Sequence, residues 1–112
     1  MVFNTGAALL DAVVLAVVSK EMKGTYGYKI TQDVRSVIEI SESTLYPVLR
    51  RLWKDECLEV YDQAIDGRNR RYYRITQQGQ AQLAEALGEW ERYKGRLDAI
   101  FYSGASSNGG KV

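Results

Sequence analysis

Asp66-Gly67-Arg68-Asn69-Arg70-Arg71-Tyr72-Tyr73-Arg74-Ile75 is the stretch that decides how this chain folds. Asp-Gly between runs of apolar and polar residues signals a β-hairpin, because a tight turn needs positive φ at its centre. The runs Leu58 to Ala64 and Arg70 to Ile75 read as two strands, joined across residues 65–69. Side chains alternate between the faces of a strand, so Tyr73 and Ile75 are expected to face the core together. The same stretch carries four arginines and one acid. A basic hairpin tip of this kind suits contact with a polyanion.

Upstream, the pattern is helical. Ser41 is a good N-cap, with Glu42 favourably placed in the first turn that follows. Leu45, Val48, Leu49 and Leu52 make an inward stripe, and Pro47 falls within the first two turns, where a missing N–H is cheapest. Ile30, Val34 and Val37 predict a helix over Tyr28 to Val37, and Ile38 to Ile40 a short extended piece. Gly24 and Tyr26-Gly27 punctuate a turn. A first helix, capped by Asn4 or Thr5, runs to about Ser19 and is apolar on nearly every side. Such a helix must be covered all round, which one small domain can hardly do, so a partner chain is expected.

Downstream, Thr76 starts a long helix to about Phe101. Leu83, Leu87, Trp90, Leu97 and Phe101 recur in steps that form a heptad seam, interrupted by Lys94. The Gly- and Ser-rich residues 103–112 are expected to be a flexible tail. Three helices followed by a two-stranded wing make a winged helix-turn-helix, mainly α with a small β-hairpin. The expected division is a winged-helix DNA-binding unit over residues 1–75, a C-terminal dimerisation helix over 76–102 and the tail.

Composition narrows the function. The chain has 112 residues, enough for one domain, and fifteen basic residues against fourteen acidic give a net charge of +1. With no histidine and one cysteine, Cys57, it holds neither a structural zinc set nor a disulfide framework, and a Cys-His nucleophile is impossible. Cys57 reads as a small, half-buried hydrophobe, and a lone thiol fits a reducing cytoplasm. Ala7 to Val18 is strongly apolar, but Asp11 breaks it and it falls short of the ~20 residues of a spanning helix. No enzyme, cofactor, metal or membrane association is expected.

The third helix and the wing carry the candidate site. With the leucines inward, Ser43, Tyr46, Pro47 and Arg50 face out. Short hydroxyl side chains at a helix N-terminus suit phosphate, and Arg50 and Arg51 can reach phosphates or a guanine edge. The competing reading of that helix alone is that the serines only cap it and the arginines are solvated. Arg68, Arg70 and Arg71 on the wing tip the balance towards double-stranded DNA. A winged-helix module that pairs with a protein instead would be expected to present uncharged faces there.

The residues Tyr26-Gly27-Tyr28-Lys29-Ile30, Ser43-Thr44-Leu45-Tyr46-Pro47-Val48-Leu49-Arg50-Arg51-Leu52, Gly67-Arg68, Arg71-Tyr72-Tyr73-Arg74-Ile75-Thr76 and Gly79 resemble the PadR family of transcriptional regulators. The resemblance spans roughly Leu9 to Phe101, and the single final helix is similar to the family's short branch. It implies a cytoplasmic homodimeric repressor, each final helix packing on the partner's first and final helices. Tyr28, Lys29, Ser43, Thr44, Tyr46, Pro47, Arg50, Arg51, Arg68, Arg70 and Arg71 form the expected DNA-binding set. In the short branch, flat aromatic drugs bind between a tryptophan from each subunit, and Trp90 occupies the corresponding place. An aromatic on a heptad seam equally serves as plain interface packing. Ala12, Leu15 and Lys94 are the expected neighbours of Trp90, with Leu83, Leu87, Leu97 and Phe101 along the interface. Relatives usually carry Gly after the third helix, where a left-handed residue is wanted, and Cys57 stands there instead. That substitution costs about 1 kcal/mol unless the turn takes another shape.

Overall fold

The computed structural model describes residues 6–107. Its elements are α1 (Ala7–Ser19), β1 (Thr25–Tyr26), α2 (Gly27–Arg35), α3 (Glu42–Lys54), β2 (Leu58–Ile65), β3 (Arg68–Ile75) and α4 (Gln77–Ser107). This is a winged helix: three helices, a hairpin and a long final helix. The expected caps of α1, Asn4 and Thr5, lie outside the described residues.

Packing starts from α1, whose Val14, Leu15 and Val18 are fully covered. They meet Ile30 and Val34 of α2, the Leu45/Val48/Leu49/Leu52 stripe of α3, and Leu58, Tyr73 and Ile75 of the hairpin in one cluster. Each such aliphatic side chain contributes about 1.5–3 kcal/mol by leaving water, so this cluster fixes how the three helices sit.

The sheet differs from expectation in two ways. The extended piece is not at Ile38 to Ile40, which forms no strand; β1 lies at Thr25–Tyr26 and pairs antiparallel with β3, opposite Tyr73 and Tyr72. Backbone pairing to an open edge of β3 outweighs the apolar pattern of Ile38 and Ile40. The hairpin is also tighter than expected. Ile65 pairs with Arg68, leaving a two-residue turn with Asp66 at φ 53° and Gly67 at φ 74°. Asp and Gly both tolerate the left-handed region, so Arg68 and Asn69 belong to the strand. Tyr73 and Ile75 face the core as expected. Tyr72 is buried on the opposite face, stacked on Tyr61 at 5.5 Å and edge-on to Tyr26 at 5.6 Å.

Helix ends bring further corrections. α2 stops at Arg35, and Val37, expected on its inner face, is 79% exposed. Ser41 caps α3 in extended conformation, but its hydroxyl bonds the hydroxyls of Ser43 and Thr44, each at 3.0 Å, rather than a backbone amide. At the other end of α3, Glu56 N–H donates to the Trp53 carbonyl (2.9 Å) and Cys57 N–H to the Leu52 carbonyl (2.8 Å). That is a Schellman closure, with the left-handed residue at Glu56 (φ 63°) and not at Cys57. Cys57 is instead the residue beyond, fully buried, its thiol 3.1 Å from Gln82 Oε1 and its pKa pushed up by burial. The thiol is therefore an inert packing group.

Thr76 caps α4: its hydroxyl accepts the Gly79 N–H (2.9 Å) and donates to the Glu56 carbonyl (2.7 Å). Gly79 is required there, because a Cβ would lie 2.1 Å from the Cys57 carbonyl oxygen. The helix continues past Phe101 to Ser107, further than the Gly and Ser content of the segment suggests.

Two stability predictions follow from these ends. Glu56→Gly removes the left-handed penalty and is expected to stabilise the fold by about 1 kcal/mol in urea unfolding. Gly79→Ala is expected to destabilise it by at least about 2 kcal/mol, since backbone must move. A Gly79→Ala variant as stable as wild type would contradict the close packing of α4 on the end of α3.

Candidate nucleic-acid interface

Helix α3 presents Ser43, Pro47 and Arg50 to solvent, with Thr44 exposed beside them and Tyr46 half-buried. The spacing 43, 46, 47, 50 is one face of a helix, opposite the leucines. The hydroxyl cluster of Ser41, Ser43 and Thr44 stands at its N-terminus, where the dipole and the unpaired amides favour an anion.

The wing supplies the positive charge. Arg68 and Arg71 are exposed, and Arg71 Nε lies 3.9 Å from Asp62 across the ladder. Arg70 is half-buried, its guanidinium 4.7 Å above the Tyr26 ring. Arg74, on the same face as Arg70, stacks over Tyr61 at 5.0 Å and bonds Glu59 at 2.9 Å. Stacking holds these guanidinium planes in place while leaving donors to solvent.

Tyr28, Tyr46, Arg70 and Arg71 meet at one open recess of about 240 Å³ between α2, α3 and the wing. Tyr26, Gly27 and Tyr73 complete it. Tyr26 and Tyr73 were legible only as structural residues. Their signal was the pairing of Tyr26-Gly27 with a double tyrosine on the wing, which the register Tyr26↔Tyr72 makes adjacent.

Besides Arg71, which faces Asp62, two members of the expected set are engaged elsewhere. Lys29 bonds Asp33 at 3.1 Å and lies 3.9 Å from Glu21, and these acids hold its pKa up. Arg51 forms an ion pair with Asp11 of α1. One residue further along α3 than Arg50, it is turned about 100° around the helix axis, so it meets α1 instead of the Ser43 face.

A second surface joins α1 and α4. Leu9, Ala12, Val13 and Ala16 form a stripe at helical spacing, and with Leu87 and Trp90 they line a cleft of about 290 Å³ made of hydrocarbon and indole. Leu15 does not belong to it: it is 1% exposed inside the chain's own core. Leu83 also packs on that core. Leu87, Phe101 and Tyr102 remain exposed, Leu97 is half-buried, and Lys94 pairs with Glu91 at 3.7 Å.

The family model of the PadR-like transcriptional regulators matches residues 14–85, from the middle of α1 into α4. The chain belongs to the PadR family. An uncharacterized protein of Lysinibacillus sphaericus is 39% identical over 100 residues, spanning 85% of this chain and 89% of its own. The transcriptional regulator Rv3488 of Mycobacterium tuberculosis is 43% identical over 61 residues, 54% of this chain and 57% of its own. Among solved structures, smu.1704 of Streptococcus mutans covers 100% of this chain and 97% of its own, at TM-score 0.79 and 37% identity. A PadR-like regulator of Bacillus cereus covers 83% of this chain and 91% of its own, at TM-score 0.74 and 28% identity. PadR proteins are transcriptional regulators that bind DNA, and this family membership assigns the chain to regulation rather than catalysis. Among the described residues, no helix is long and apolar enough to cross a membrane.

The Asp11–Arg51 pair yields a pH prediction. Burial pushes the Asp11 carboxyl pKa up, outweighing the pull of Arg51. A carboxyl with a raised folded pKa favours the folded state in acid, an advantage lost as pH rises through that value. Wild type should therefore lose stability relative to Asp11→Asn between about pH 3 and neutrality. A wild type that gains on the variant over that range would show that the ion pair dominates.

Proposed function

We propose that this PadR protein binds duplex DNA sequence-specifically as a homodimer, represses transcription there, and is released by a flat aromatic ligand at the dimer centre. The observation that carries the DNA reading is the exposed Ser43/Pro47/Arg50 face of α3 beside a wing bearing Arg68, Arg70 and Arg71. In this reading α3 enters the major groove, where Arg50 reaches base edges and Ser43 and Thr44 meet phosphate. Arg68, at the wing tip, follows the backbone or minor groove. A repressor of this kind acts by occupying promoter DNA, in the compartment that holds it.

The dimer is supported by the apolar α1–α4 cleft and by the exposed Leu87, Phe101 and Tyr102, a surface costly to leave in water. A second copy laid along α4 covers it, burying a seam of Leu87, Trp90, Leu97 and Phe101. Trp90 brings a rigid aromatic face to the middle of that seam, and two such faces suit a planar apolar ligand. A ligand that prefers one spacing of the two α3 helices weakens DNA binding by its differential affinity.

The test is binding to duplex DNA as a function of salt. With about six phosphate contacts per dimer, the log-log slope is expected near −5, and Arg68→Ala with Arg70→Ala makes it shallower and weakens binding on every sequence. Unchanged affinity in that double variant would remove the wing from the interface; no DNA binding at all would favour a protein-pairing module. Trp90→Ala is expected to abolish retention of planar aromatic dyes, read by dye anisotropy. Full retention would leave Trp90 as interface packing alone.

A further inference from the structure

Tyr73 is the residue of the recess that the fold alone does not explain. It is 9% exposed and packs in the core cluster, yet it also lines the recess between α2, α3 and the wing. Its hydroxyl has no hydrogen-bond partner among the described residues. The buried unpaired hydroxyls are those of Thr25 and Thr31, whereas the Tyr73 hydroxyl opens onto the recess, where a ligand can take its proton. Burial pushes the Tyr73 pKa up while Arg71 and Arg50, both near it, pull it down.

The rest of the recess converges on the same point. Gly27 begins α2, a nine-residue helix, and first-turn amides have no partner within their own helix. Tyr46 lies directly against this end of α2, so that a Cβ on Gly27 would lie 3.0 Å from its ring and 3.1 Å from its hydroxyl oxygen. Arg71 lines the recess, as does Arg70, which lies over the ring of Tyr26, another lining residue. Helix amides, a phenol donor and two guanidinium groups around an opening of about 240 Å³ are the donor set for a tetrahedral oxyanion.

We propose that this recess seats one phosphate of the DNA backbone, with the Tyr73 hydroxyl, the first-turn amides of α2 and Arg71 as its donors. The inference rests on the DNA-binding reading above and gives it a fixed anchor. A phosphate held here locks α2 to the strand, sets how deep α3 lies in the groove, and carries no sequence information. Tyr73 is thus a binding residue as well as a core residue.

Tyr73→Phe tests this, because it keeps the ring and its packing and deletes only the donor. The variant should unfold at the wild-type temperature and bind every duplex about ten-fold more weakly, with its sequence preference unchanged. The contact is located by replacing single phosphates of the duplex with neutral methylphosphonates. One position per half-site should weaken wild type strongly but add little to the loss in Tyr73→Phe. Gly27→Ala, which narrows the recess against Tyr46, should show the same selective insensitivity at the same position. Wild-type affinity in Tyr73→Phe, or methylphosphonate penalties identical in the two proteins, would overturn the inference while leaving DNA binding intact. Absence of binding by wild type to any duplex would overturn both together.

Discussion

The wing, the third helix and the last helix are held to one another at a single joint. Thr76 takes the Glu56 carbonyl with its hydroxyl and the Cys57 carbonyl with its amide, at 2.7 Å and 3.0 Å, and caps α4 in the same act. Leu58 and Ile75, the first and last residues of the hairpin, pair directly above it. The end of α3, the base of the wing and the start of α4 therefore meet within a few residues. Gly79 lets α4 close onto the Cys57 carbonyl and Ile75, which packs the start of α4 against the base of the wing. In the proposed function α3 reads DNA and α4 pairs with a second copy, so this joint would link the two surfaces.

Charge and apolar surface are sorted rather than abundant. A net charge of +1 would not mark a nucleic-acid partner, but Arg70 and Arg71 line one recess and Arg50 acts on Tyr73 of the same recess. Several acids hold particular arginines and lysines: Asp11 on Arg51, Glu59 on Arg74, Asp33 on Lys29 and, more loosely, Asp62 on Arg71. Exposed pairs of this kind add little stability. Arg50 has no such acid partner among the described residues, and the Arg71–Asp62 separation of 3.9 Å is the loosest of the four. The apolar residues divide the same way, between a closed core and the α1–α4 stripe left open.

Much of this was legible in the sequence because it rests on local periodicity. The inward stripe of α3, the hairpin at Asp66-Gly67, the start of α4 near Thr76 and the outward face of α3 each follow from spacing within one element. What was not legible depends on tertiary pairing. β1 exists because β3 offers an edge, not because Thr25-Tyr26 has a strand pattern. Tyr72 is covered because Tyr26 and Tyr61 flank it across two register pairs. The left-handed residue fell on Glu56 because the Schellman bonds count back to Leu52 and Trp53, a one-residue matter of geometry. Leu15 faces the chain's own core rather than the open stripe because α1 is apolar on every side, which hides its orientation. The recess at Tyr73 draws on α2, α3 and both faces of β3, so no single motif could announce it.

In the proposed function, α3 and the wing of two copies read DNA as a symmetric pair. Selection of bound duplexes from a random pool by the full chain addresses specificity and symmetry at once. The prediction is an enriched inverted repeat whose half-sites are separated by about one helical turn, or a multiple of it, since a two-fold dimer imposes its symmetry on the site. A pool that stays random after repeated rounds, or a single unrepeated half-site, would contradict it.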